Sequence, residues 1–213
     1  MITLEEIIEK TNHIPSSVYE AEQSLWLRYL STLPGNPNIV DFGTGWGKSA
    51  LSLALACPQG FVYTFDTGVI YIAYEAVKNL EEYHSKIEDY TKEAKNLKSI
   101  VASSLTIPLP EFEIDVLNID SAHDYETTKA EIERWLPRVK QGGLVFLHDW
   151  EHPKAPGVKQ AWDELVRYNL KDLISSFWDK NNEMNEPATK LYEMIFLDKA
   201  VCPTVTTAVF KKL

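Results

Sequence analysis

Cysteine is scarce: Cys57 and Cys202 are the only two in 213 residues, far apart and outside any metal-ligand spacing. That excludes a disulfide framework or a thiolate metal site as the basis of the fold, and both are expected as reduced core thiols. No run of about eighteen apolar residues occurs, so no transmembrane helix is expected. The opening MITLEEIIEK is acidic and lacks an apolar signal core, so a cytoplasmic protein is expected. Positive charge is also short, with 21 Lys and Arg against 31 Asp and Glu and a formal net charge of −10. The terminal KKL is too short to be a basic patch, so neither nucleic acid nor a membrane is expected as a partner. Internal repeats and low-complexity segments are missing too.

What remains is an ordinary globular composition, 45% apolar and 24% charged. No linker interrupts it, so one domain over residues 1–213 is expected, with a helical extension over 1–34 and a core over 38–213. Thr3 to Glu6 fits a capping box before a first short helix. Ser16 or Ser17 can cap a second helix, which Pro34-Gly35-Asn36-Pro37 stops. Strands are expected at 38–42, 61–66, 99–102, 114–120 and 144–148. Helices are expected between them: one over 50–56, a long amphipathic one from Val77 to Ala94, and one from Tyr125 that Gln141-Gly142-Gly143 closes. A further helix starts near Pro156. After residue 170, LISSFWD, LYEMIFLD and TVTTAVFKK all resemble strands, and two of them are expected to form an antiparallel edge hairpin. Alternating strands and helices predict an α/β fold with a doubly wound, mainly parallel sheet and a ligand at the strands' carboxyl ends.

The stretch DFGTGWGKSA, residues 41–50, sits at such an end. It closes like a triphosphate loop, but Phe42 stands where the opening glycine belongs, so the loop is too short to circle a phosphate. Gly43-x-Gly45-x-Gly47 is also one residue tighter than a dinucleotide fingerprint. Read as D-x-G-x-G-x-G, with a second acid at Asp66, it suits a cofactor with a ribose and a cationic amino-acid tail. Asp66 would take the ribose hydroxyls, the glycine backbone would pass close to the tail, and Asp41 would order the turn. The alternative is a turn that uses glycine for geometry alone.

This pattern resembles motif I of class I S-adenosylmethionine-dependent methyltransferases, which implies a Rossmann-like core. A second block strengthens the resemblance. Ile119-Asp120, His123 and Tyr125 follow one strand, and Leu136, Gly142-Gly143 and His148-Asp149 lead out of the next. Together they look like the subgroup of macrocin O-methyltransferase-like and cephalosporin hydroxylase-like proteins, over roughly residues 38–165. The resemblance implies S-adenosylmethionine held by Asp41, Gly43, Thr44, Gly45, Gly47, Ser49, Asp66, Thr67, Ser103, Ser104 and Asp120. His123 is the first candidate for a general base, His148 the second, with Asp120 beside them; each histidine could equally be a cap or core residue. The resemblance also implies Mg²⁺ on Asp120 and Asp149, with Trp150 standing where relatives place a further ligand. Tyr71, Tyr74, Trp150 and Trp178 are candidate walls for a small-molecule acceptor, with core packing the more common role for any one of them, and Trp46 is either a cofactor contact within the turn or a packing residue.

The function expected is methyl transfer, to oxygen in a small or sugar-containing molecule. An aminopropyl transferase, a hydroxylase-like enzyme or a non-catalytic cofactor-binding scaffold on the same fold are the alternatives. The N-terminal helices are expected either to cover the site or to form a homodimer contact.

Overall fold

The computed structural model describes residues 2–168, 192–197 and 207–213. Helix α1, Leu4–Thr11, starts on a full capping box: Thr3 Oγ1 accepts the Glu6 N–H at 3.2 Å and Glu6 Oε2 accepts the Thr3 N–H at 2.8 Å. Helix α2, Glu20–Leu30, starts later than expected. Its cap is Tyr19, whose N–H donates to Glu22 Oε2 at 3.1 Å, while Ser16 spends its hydroxyl on the Val18 N–H in the turn before it.

Then come β1 (Asn38–Phe42), α3 (Lys48–Ala56), β2 (Phe61–Asp66), α4 (Val69–Ala73), α5 (Leu80–Thr91) and β3 (Leu97–Val101). The second half holds β4 (Ile114–Ile119), α6 (Tyr125–Trp135), β5 (Val139–Leu147), α7 (Pro156–Trp162), β6 (Tyr192–Leu197) and β7 (Ala208–Lys212). The strands form one sheet in the order β3-β2-β1-β4-β5-β7-β6. The first five run parallel; β7 pairs antiparallel with β5, and β6 antiparallel with β7. The antiparallel edge pair is thus built from YEMIFL and AVFKK, within two of the three stretches expected to be strands. LISSFWD, Trp178 and Cys202 lie outside the described residues, while Cys57 is buried.

Successive residues of a strand point to opposite faces, and here both faces are buried. Ile39, Val62, Val116 and Phe146 pack with Ile7, Trp26 and Leu30 of the N-terminal helices and with Leu53 of α3. Val40, Phe42, Leu117 and Ile119 pack on the other side with Trp135, Trp162 and Phe210. The N-terminal extension therefore belongs to a core layer. Gln23 Nε2 ties it further, donating to Thr11 Oγ1 at 2.7 Å and to Ser52 Oγ at 2.8 Å.

Two expectations are corrected. The helix over Val77 to Ala94 is shorter, because Asn79 Oδ1 accepts the Glu82 N–H at 2.9 Å and caps α5 there. Val77 keeps the helical spacing and is buried, but it precedes the helix. Gly142-Gly143 does not close α6; it lies inside β5, where Ile114 pairs with Val139 but Val116 pairs with Leu144. Gly142, at φ +78°, absorbs that irregularity. Of the two roles open to Trp150, wall or core, it takes the core one: it is 1% exposed, with Phe210 at 5.1 Å and Trp162 at 6.3 Å between ring centroids.

Gly43 has φ +86°, and a Cβ there would lie 1.8 Å from the Asp120 carbonyl oxygen. Gly35 has φ +71° but open space around it. Gly43→Ala is expected to cost roughly 3 kcal/mol or more and Gly35→Ala about 1 kcal/mol, since only the first adds a collision to the backbone strain. Urea unfolding midpoints compare the two; equal losses would contradict the packing at Gly43.

Candidate active site

The glycine turn is held from below. Asp41 is fully buried at the end of β1. Its Oδ1 accepts from Asn118 Nδ2 at 2.7 Å, and its Oδ2 accepts from Thr64 Oγ1 at 2.7 Å and Ser49 Oγ at 3.2 Å. Burial pushes the Asp41 carboxyl up to about 7, against the pull of Asn118 and Thr64. Thr44 Oγ1 lies 2.6 Å from Thr64 Oγ1. The side chains of Asp41, Thr44 and Ser49 are therefore engaged with the scaffold.

Asp66 holds the turn from its open side. Its Oδ2 accepts the Gly45 N–H at 3.0 Å and its Oδ1 the Gly68 N–H at 2.8 Å. Tyr83 donates its hydroxyl to the Gly45 carbonyl at 2.7 Å. A cleft of about 670 Å³ opens over this turn. Gly43, Thr44, Gly45, Ser49, Asp66, Thr67, Ser103, Ser104, Asp120 and His123 line it. Gly47 lies outside the lining and serves packing: at φ +98°, a Cβ would meet Thr91 Cγ2 at 2.7 Å. Tyr71 lines the cleft, stacked on Tyr83 at 5.1 Å and against Trp46, which lines it too, at 4.4 Å. Tyr74 is exposed away from it.

The second half of the site is a cluster of charges at the ends of β4 and β5. His123 Nε2 is 3.1 Å from Asp120 Oδ1, and His123 Nδ1 is 3.0 Å from Asp149 Oδ2. His148 Nε2 is 3.0 Å from Glu22 Oε1. His148 Nδ1 is 2.8 Å from Asp120 Oδ1, yet it has no well-aligned hydrogen bond. Asp149 reaches the cluster from a left-handed backbone, φ 56°, which aspartate tolerates better than most residues.

Hydrogen bonding to Asp120, then to Asp149, raises the His123 imidazole to about 9. For His148, burial is the largest influence and pulls downward, but Asp120 and Glu22 outweigh it and hold the ring well above its ordinary value. Burial pushes Asp120 upward, and the two imidazoles more than reverse that. The two carboxylate partners of His123 therefore favour the charged form of its ring at neutral pH.

Sequence reasoning missed two acids. Glu22 comes from the N-terminal extension and is 3% exposed. Glu131 lines the cleft from α6, accepting from Ser104 Oγ at 2.5 Å and Ser121 Oγ at 2.7 Å; burial lifts its carboxyl to about 7. The helical face of Glu131 was readable, but nothing marked it as facing a ligand. Ser16 and Ser17, read as candidate helix caps, instead belong to the Pro15 to Val18 segment that forms a wall of the cleft.

The donors do not fit Mg²⁺. The ligand atoms of Asp120, His123 and His148 lie within 4.8 Å of one another, but two of the three are imidazole nitrogens. Mg²⁺ requires an oxygen octahedron, and such a mixed set suits a borderline transition ion. Asp120 and Asp149 already neutralise the two rings, and Trp150, where the resemblance would place a further ligand, has no donor oxygen and is buried in the core.

The methyltransferase domain family matches residues 40–150, more than half of the chain. A curated relative, uncharacterized protein y4gI of Sinorhizobium fredii, is 27% identical over 155 residues, 67% of this chain and 17% of that one. The chain thus spans about a sixth of that relative's length. Among solved structures, N-methyltransferase NodS from Bradyrhizobium japonicum, in complex with S-adenosylhomocysteine, superposes with TM-score 0.58 at 13% identity over 98% of this chain and 96% of that one. The apo TDP-rhamnose 3′-O-methyltransferase CalS11, of calicheamicin biosynthesis, gives 0.56 at 15% identity over 98% and 92%. An rRNA methylase from Streptococcus thermophilus gives 0.54 at 15% identity over 93% and 99%. That neighbour overturns the expectation that nucleic acid is excluded: the same fold serves an rRNA methylase. A whole-chain charge of −10 is a sum over the surface and does not decide what one cleft admits.

The raised His123 ring carries a pH signature. Its folded value, about 9, lies above the ordinary 6.5, so the stability it contributes is complete below about 6.5 and is lost as pH rises through 9. The melting temperature is expected to fall over that window, and His123→Asn should shrink the fall. An unchanged pH profile in the variant would contradict the assignment.

Proposed function

The chain belongs to the methyltransferase domain family, and on that premise we propose that it transfers a methyl group from S-adenosylmethionine to a hydroxyl of a small acceptor. The observation that carries this reading is one cleft that joins the glycine turn and Asp66 to the His123–Asp120 pair. Its volume, about 670 Å³, is in the range of ligand and cofactor sites. The motifs I-D-x-x-H-x-Y and H-D support placing the chain with the macrocin O-methyltransferase-like subgroup.

When bound, the cofactor supplies an electrophilic methyl group on a sulfonium. After two N–H contacts, Asp66 keeps lone pairs for a pair of ribose hydroxyls. Ser103, with Ser104, Glu131 and Ser121, offers hydroxyl and carboxyl groups for the edge of a purine. Gly43 and Gly45 leave room above the turn for the amino-acid tail. Asp120 stands between turn and histidines, where a cationic amine is stabilised by its charge. His123 takes the acceptor proton in its neutral form, at the ring nitrogen that exchanges its carboxylate partner for the acceptor hydroxyl while the other nitrogen stays on its acid. No step passes through Mg²⁺.

Calorimetric titration with S-adenosylhomocysteine, beside ATP and NAD, tests the cofactor. Micromolar binding is expected for the first alone, and binding of ATP or NAD instead would sink the reading. Asp66→Ala is expected to weaken S-adenosylhomocysteine by roughly tenfold to a hundredfold. A methyl-transfer screen across hydroxylated small molecules and rRNA then identifies the acceptor. With it, kcat/KM is expected to rise with pH to a plateau above about 9. His123→Asn should lower kcat by roughly a hundredfold or more while leaving cofactor affinity unchanged.

A further inference from the structure

His148 is held between acids on both sides. Its Nε2 is paired with Glu22 Oε1 at 3.0 Å, across the interface between α2 and the end of β5. Its Nδ1 is buried and lacks a hydrogen bond, although Asp120 Oδ1 lies at 2.8 Å and Asp149 Oδ1 at 3.5 Å. With Nε2 on Glu22, Nδ1 is turned toward Asp120, which lines the cleft.

Glu22 is well fixed for that task. It is 3% exposed, so its carboxylate must be paired to be tolerated there. Oε1 also accepts from Thr207 Oγ1 at 3.2 Å, and Oε2 accepts the Tyr19 N–H at 3.1 Å in the first turn of α2. One carboxylate thus caps the helix with one oxygen and pairs with His148 through the other. Just before it, Pro15 to Val18 form a wall of the same cleft.

We propose that Glu22 is a positioning residue: it holds His148 so that Nδ1 faces Asp120 and the methyl acceptor beside it. This rests on the methyltransferase reading of the cleft. Glu22 does not touch the reacting atoms; it acts through His148, and it makes the N-terminal helices part of the active site.

The test uses the full chain with ¹⁵N-labelled histidine. A downfield, slowly exchanging imidazole N–H is expected in the wild type and should disappear in His148→Gln. In Glu22→Gln, which can still accept the Tyr19 N–H, that resonance should move upfield and exchange faster. Glu22→Asp should fall between the two. With the acceptor from the screen, Glu22→Gln should lower kcat roughly tenfold at unchanged affinity for S-adenosylhomocysteine. An unmoved resonance in Glu22→Gln would overturn the proposal, as would a melting-temperature loss with the resonance and kcat intact, because Glu22 would then be a helix cap alone. If the resonance responds but S-adenosylhomocysteine does not bind, the Glu22–His148 contact stands and the cofactor reading fails.

Discussion

The site depends on how closely the tips of β1 and β4 approach. The Asp120 N–H donates to the Phe42 carbonyl at 3.1 Å across that pair, while the Gly43 N–H donates to the Phe65 carbonyl of β2 at 2.9 Å on the other side of β1. The backbones meet where a side chain on Gly43 would stand, with the Asp120 carbonyl 1.8 Å from the absent Cβ. That contact brings the glycine turn and the charged cluster into one cleft. The fully buried Asp41, with its three donors, fixes the turn beneath, and Trp135 packs 5.0 Å from Phe42 on the far side.

Positive charge at the cleft comes from rings. Among the described residues, no lysine or arginine lines it. Three acids, Glu22, Asp120 and Asp149, alternate in space with His123 and His148. Each ring is held between carboxylates, and each acid of the pair Asp120 and Asp149 meets both rings. Such an arrangement keeps charges buried at moderate cost because none lacks an opposite neighbour.

Much of this was legible in the sequence. Asn38 to Phe42 and Phe61 to Asp66 are apolar runs between turn residues, and both strands fall where the pattern put them. The capping box at Thr3 is a local signal and is formed as written. Local signals misled where two agreed on different answers: Val77 continues the helical spacing, while Asn79 supplies the stronger start. Gly142-Gly143 read as a helix stop, but the helix ends before it and the pair bends a strand instead. Trp150 stood next to a motif and so looked functional, although its side chain turns inward onto Phe210. Glu22 was unreadable because its meaning comes from distant partners; Thr207 is 185 positions away.

The order of the strands has a kinetic side. β1 and β4 are neighbours in the sheet, and the buried Asn118–Asp41 bond between them spans 77 positions of chain. Everything from α3 through β3 lies within that loop. Closing it costs chain entropy before any contact across it is rewarded, so parallel neighbours of this kind pair late. The first half can build β1, β2 and β3 with their helices while Gly43 still faces solvent. Asp41 meets its last donor only when β4 docks, and the cleft takes shape in that same event. Binding competence therefore waits on the docking of β4 against β1.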